Sequence, residues 1–231
     1  MVSLLREEEN AAVQGQQGDG SPFWEAEKHL YRPAQAVVVG HSFVRRLEEF
    51  LVDKYGPYHN FGLSYDSVHV HSIYKGGMTA ESARYEYLHR IVDLKPDIVY
   101  LELGSNDICR RRPEQVGSAL LDLTYDLQNL GVKYVVVGQT IFREGRGIPA
   151  GKPDYNRDVA ILNNYTCAVL DPASSDDTKY WKHRGLWESK LRTLGRDGVH
   201  PNNLGLQRLY RSVRGAIMHA VGKVKRSLTS Q

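Results

Sequence analysis

The sequence predicts an α/β fold: a parallel sheet covered by helices on both faces. Short β-branched runs alternate with amphipathic helical stripes from residue 34 to residue 224. The strand candidates, such as Ala36–Val39 (AVVV) and Lys133–Gln139 (KYVVVGQ), are nearly continuous in apolar residues, the mark of strands buried on both sides. The chain has 231 residues, 41% of them hydrophobic and 25% charged, which suits one sizeable core and is short for two.

The elements follow in order. Residues 1–33 are polar, rich in Gln, Gly and Glu and without a sustained period, and read as a flexible leader. Ala36–Val39 is a strand, and Val44–Lys54 is a helix with its apolar stripe at Val44, Leu47, Phe50 and Leu51. Ser67–Ile73 alternates as a strand and Ala80–Leu94 follows as a helix. Asp97–Leu103 is a strand, and Pro113–Leu130 is a long amphipathic helix opened by its proline. Lys133–Gln139 is the fourth strand and Asp154–Leu170 a helix. Asp171–Arg196 reads as loop, with Trp181 and Trp187 in it, and Leu204–Val224 closes as a helix. One domain over 34–224, followed by a basic tail over 225–231, is the expected organisation.

Composition excludes several classes. The two cysteines, Cys109 and Cys167, do not make a disulfide framework. Cys109 reads as an inert buried thiol. The nine histidines are scattered, and His69 and His71 read as alternate strand positions, so no metal is expected. No apolar run approaches the roughly 18 residues of a membrane span. The N-terminus places glutamates where a signal peptide needs basic residues, which points to an intracellular protein. There is no G-x-G-x-x-G and no Walker Gly-Lys-Ser/Thr, so no cofactor is expected.

Ligand sites in such sheets lie beyond the carboxyl ends of the strands. Three polar clusters fall there: Gly40-His41-Ser42, Gly104-Ser105-Asn106-Asp107, and Asp197-Gly198-Val199-His200-Pro201-Asn202 before the last helix. A serine hydroxyl becomes nucleophilic when a base takes its proton, and a histidine base works best when a carboxylate fixes its tautomer. Asp197 and His200, three apart in a turn, have that spacing. An oxyanion needs fixed donors, which Asn106, the Ser42 N–H and a glycine at Gly76-Gly77 can supply. Each cluster also has a plain reading. Ser42 can be a helix N-cap, Asn106-Asp107 a cap or Asx turn, and Asp197–Asn202 a polar loop. A Gly-x-Ser-x-Gly elbow is excluded because Val44 stands where the second glycine belongs.

Together, Gly40-His41-Ser42, Gly77, Gly104-Ser105-Asn106-Asp107 and Asp197-x-x-His200 resemble blocks I, II, III and V of the SGNH (GDSL-type) hydrolases, over residues 36 to about 220. The resemblance implies a three-layer α/β/α, flavodoxin-like sandwich and an ester-cleaving hydrolase (esterase, lipase or deacetylase) acting on a small acyl ester, usually without a metal. It implies Ser42 as nucleophile, His200 as base and Asp197 as its orienter. The Ser42 and Gly77 N–H groups and the Asn106 amide would be oxyanion donors. The family normally has Asp before the serine, where this chain has His41. The stretches GHSFVRRL, GGMTAES and LELGSND also resemble SGNH-like domains in animal transposable-element reading frames.

Lys179, Lys182, Arg184, Lys190, Arg192 and Arg196 surround Trp181 and Trp187 with one acid, Glu188, among them. Arg110-Arg111-Arg112 follows the third strand's loop. Basic residues mixed with aromatics suit nucleic acid or an anionic surface, so the alternative is a catalytically weak or inactive module that binds nucleic acid or a protein partner through its basic surface. The competing reading is a solvated loop whose tryptophans cover the core.

Overall fold

The computed structural model describes residues 32–170, 177–186 and 192–229. The expected leader lies, apart from its last two residues, outside the described residues, as do Trp187, Glu188 and Lys190. The strands are β1 (Ala34–Gly40), β2 (Val68–Tyr74), β3 (Ile98–Glu102), β4 (Tyr134–Gly138) and β5 (Thr178–Trp181). They form one sheet in the order β2-β1-β3-β4-β5, every pair parallel. This is the order of a doubly wound sheet, with its switch point between β1 and β3.

Strand side chains alternate between two cores. Ala36, Val38, Ile98, Tyr100, Tyr134 and Val136 point to one face, covered by α1 (Ser42–Tyr55) and the long C-terminal helix Asn203–Thr229. Val37, Val39, Val99, Leu101, Val135 and Val137 point to the other. That face is covered by α2 (Ala80–Ser82), α3 (Leu88–Asp93), α4 (Pro113–Asn129) and α5 (Tyr155–Leu170). The C-terminal helix is α6. Its helical structure runs through residues expected in the basic tail, as far as Thr229.

α1 buries Phe43, Val44, Leu47 and Leu51, each worth about 1.5–3 kcal/mol when removed from water. The helix expected over Ala80–Leu94 is interrupted by a π-type turn at Ala83–Tyr87 between α2 and α3. One extra residue in the turn makes an eight-residue separation behave like seven, so Ala83 and Ile91 both reach the core.

A second departure from the sequence expectation lies at the sheet edge. The stretch Asp171–Arg196, read as loop, contains β5 at the sheet edge. Its four residues alternate in burial, with Thr178 and Tyr180 inward, and three of them carry charge or hydroxyl groups. A strand so short and so polar lacks the apolar run that marks the other four. Tryptophan 181 is committed to the core side: its Nε1 donates to Ser212 Oγ at 3.1 Å, and its ring lies 5.7 Å from that of His219.

Candidate active site

β1, β2 and β3 end level with one another, Gly40 pairing with Tyr74 on one side and Glu102 on the other. The three loops that follow therefore emerge along one rim. β1 stops at Gly40 because nothing larger fits: a Cβ there would lie 2.5 Å from Val44 Cγ2 and 2.7 Å from Glu102 O.

The helix cap after Gly40 is His41, not Ser42. His41 is extended, with φ −91° and ψ −150°, and its Nδ1 accepts the Phe43 N–H at 3.3 Å. Because Nδ1 accepts, the proton sits on Nε2, which donates to Ser105 Oγ at 3.0 Å. Burial is the main cause that lowers the His41 pKa to about 4; nearby Glu102 opposes this, and Arg143 and His200 add to it. The residue in the family's Asp position is thus a neutral cap tying the β1 and β3 loops together. Ser42 becomes the first helical residue, its hydroxyl released from capping duty and its N–H among those a helix start leaves open.

That hydroxyl lies 3.0 Å from His200 Nε2. His200 Nδ1 lies 2.7 Å from Asp197 Oδ2, so Nδ1 donates and Nε2 accepts from Ser42. The three-residue spacing explains how one carboxylate builds the turn and orients the ring. Asp197 Oδ1 accepts the Val199 and His200 N–H groups at 2.9 and 3.0 Å, leaving Oδ2 for the imidazole. Burial pushes the Asp197 pKa up, but those two N–H groups and the His200 side chain outweigh it and hold the carboxyl well below its usual range. Phe43 lies between the two imidazoles, edge-on to His41 at 4.6 Å and to His200 at 6.1 Å.

The turn is clamped from behind. Glu144 N donates to Gly198 O at 2.8 Å and Gly195 N to His200 O at 2.7 Å. Gly198 has φ +69°, and a Cβ there would fall 1.8 Å from Glu144 O. Glycine is required twice over, by conformation and by space.

The other two loops are also joined. Asn106 Nδ2 donates to Met78 O at 3.1 Å, and Asp107 Oδ1 accepts the Ala80 N–H at 2.9 Å. Thr79 caps α2 through a reciprocal pair with Ser82. These bonds hold Asn106 beside the segment that follows Gly77, which has φ +78° and open space on its Cβ side. The asparagine is thus not a helix cap, one of the plain readings; it is Asp107 that satisfies a helix-start N–H. Burial raises the Asp107 pKa, against opposing backbone hydrogen bonds.

Several contributors escaped the sequence reading. Beneath His41 lies a buried network in which Tyr100 OH donates to Glu102 Oε2 at 2.8 Å. His183 Nε2 is 3.2 Å from the same oxygen, and its Nδ1 is 2.9 Å from Ser212 Oγ. Burial pushes Glu102 upward, but His183, then His41 and the Tyr100 hydroxyl, outweigh it and lower its pKa. Arg143, in the loop after β4, is the other omission. No local pattern in the sequence singles out either group. Cys109 is half-buried, with Sγ 3.1 Å from Arg143 Nη1. Among the described residues, no three His, Cys, Asp or Glu side chains stand together as a metal site. Nor is any described helix long and apolar enough to cross a membrane. A cavity of 620 Å³ opens beside Asp197 and His200, walled also by Arg46, Asn202, Asn203 and Leu206.

The fold is thus a parallel three-layer sandwich that carries a serine, a histidine and an aspartate in hydrogen-bonded series at its carboxyl rim. The family model for GDSL-like lipases and acylhydrolases matches residues 34–213, and the chain belongs to that family, as a hydrolase acting on ester bonds. No curated protein matches it in sequence. Solved structures share the fold. A GDSL-like lipase from Bacteroides thetaiotaomicron is 14% identical, over 81% of this chain and 89% of its own, with a TM-score of 0.63. The acetylxylan esterase Axe2 from Geobacillus stearothermophilus is 14% identical over 84% and 96%, with a TM-score of 0.56. TesA is 20% identical over 80% and 99%, with a TM-score of 0.54.

Proposed function

We propose that this protein cleaves small carboxylic esters through an acyl-enzyme formed on Ser42. The observation that carries the reading is the continuous series Ser42 Oγ, His200 and Asp197, at 3.0 and 2.7 Å. His200 takes the Ser42 proton as the oxygen attacks the ester carbonyl. It then returns the proton to the departing alcohol, and activates water for the second half-reaction. Asp197 keeps the imidazole in the accepting tautomer. The Ser42 and Gly77 N–H groups and the Asn106 amide receive the tetrahedral oxyanion. The domain that does this spans 34–224, between a leader over 1–33 and a basic end over 225–231.

The leaving alcohol must sit within reach of His200 Nε2, so it departs beside the cavity that His200 helps to line. Arg46, Asn202 and Asn203 put polar groups on that wall, beside the apolar Pro201, Leu204 and Leu206. A polar alcohol, such as a sugar hydroxyl, suits it better than a long aliphatic one. Purified protein is expected to hydrolyse p-nitrophenyl acetate and to be labelled by a fluorophosphonate, and Ser42→Ala to lose both. Undiminished turnover in Ser42→Ala would refute the reading.

A further inference from the structure

Arg143 is a buried cation, 8% exposed, whose neighbours include no carboxylate among the described residues. Burying a charge without an opposite partner is costly, so a guanidinium kept in such a place calls for a task. Its surroundings name one. Nη2 donates to Ser105 O at 3.0 Å and lies 3.5 Å from Asn106 Oδ1. The guanidinium is 4.7 Å from the Tyr155 ring centroid, and Tyr155 OH donates to the same Ser105 oxygen at 3.0 Å. With Nη1 donating to Cys109 Sγ at 3.1 Å, the side chain grips the loop carrying Asn106 at three points, while the ring supports it from behind.

The Asn106 amide has one accepting and one donating end. Arg143 can only donate, so the atom facing it must be Oδ1. Met78 O can only accept, so the atom 3.1 Å from it must be Nδ2. The two contacts fix which way the amide is turned, and one N–H of Nδ2 remains uncommitted among the described residues. Without Arg143 the Oδ1 end loses its donor, and the Met78 contact alone is left to set the turn of the amide.

We propose that Arg143 is a positioning residue that holds the Asn106 amide with its free N–H toward the oxyanion. The inference rests on the serine-hydrolase reading given above. It concerns hydrogen-bond geometry only.

The test is a double-mutant cycle on p-nitrophenyl acetate with Arg143→Met, Asn106→Ala and the pair, each checked for folding by circular dichroism and thermal melting. Arg143→Met is expected to lower kcat about 30–100-fold, near the loss of one oxyanion donor, with KM changed less than about twofold. In the Asn106→Ala background the same change should cost less than about threefold, because the amide it positions is gone. Arg143→Lys, which keeps a donor and the charge, should recover part of the lost kcat. Full, multiplicative losses in both backgrounds would overturn the proposal, as would a wild-type kcat in folded Arg143→Met. If Arg143→Met does not fold, Arg143→Gln takes its place in the cycle: a loss of kcat at constant KM that shrinks in the Asn106→Ala background supports positioning, and a wild-type kcat or an equal loss in both backgrounds overturns it. A wild-type protein that neither turns over ester nor reacts with a fluorophosphonate sinks the hydrolase reading and this proposal with it. A failed cycle in an active enzyme sinks this proposal alone.

Discussion

His41 Nε2 and Ser105 Oγ meet at 3.0 Å in a buried hydrogen bond that joins the loop after β1 to the loop after β3. The same ring accepts the Phe43 N–H at Nδ1, which only a neutral imidazole with its proton on Nε2 can do, and burial favours that state.

Stability should therefore fall with acid in a defined window. His41 titrates at about 4 when folded and near 6.5 when unfolded, so the unfolded chain takes up the proton first as pH drops. The loss runs from about pH 6.5 down to about pH 4, amounts to about 3 kcal/mol, and levels off below. Urea unfolding across this range should show a one-proton dependence that disappears in His41→Asn. An unchanged slope in that variant would show that another group is responsible.

Asp197→Asn should fold normally, because the amide oxygen still accepts the Val199 and His200 N–H groups. It cannot hold His200 in the accepting tautomer, so kcat on a p-nitrophenyl ester should fall by about 10³–10⁴. Combining it with Ser42→Ala should cost little beyond the serine change alone, since the three groups act as a unit. Multiplicative losses would argue against a shared role.

Gly198→Ala should be damaging both to the fold and to turnover. The substitution forces a side chain into φ +69° and against Glu144 O, so a cost of about 2 kcal/mol or more is expected. Thermal melting reports the stability and ester turnover the displaced turn. A wild-type melting temperature would mean that the Glu144 loop yields easily.

Tyr100→Phe removes a hydroxyl 2.8 Å from the buried Glu102 carboxylate without altering a backbone contact. A loss of about 1–3 kcal/mol is expected from denaturant unfolding, with kcat largely retained, because the network lies below the reacting groups. A large drop in kcat at constant stability would place Glu102 nearer the chemistry than its geometry suggests.

The fold was largely legible along the chain. Runs such as Val37–Val39 and Val135–Val137 have to be buried on both sides, and the stripes between them have to be helices on the covering layers. β5 escaped because four residues, three of them bearing charge or hydroxyl groups, carry too little apolar signal, and it is its pairing with β4 that makes it a strand. The π-type turn at Ala83–Tyr87 escaped for a related reason, since only the shape of the core shows which residues need re-phasing.

The sequence by itself determined which residues are candidates for chemistry, because a serine, an Asp-x-x-His pair and an asparagine at strand ends are local features read at short range. Only the tertiary structure decided that Ser42 and His200, 158 residues apart, share a proton-bearing contact. It also decided that His41 is a neutral cap and that Arg143 stands behind Asn106. Charge state and hydrogen-bond direction depend on burial and on partners brought from distant loops, and neither is encoded in any single stretch of chain.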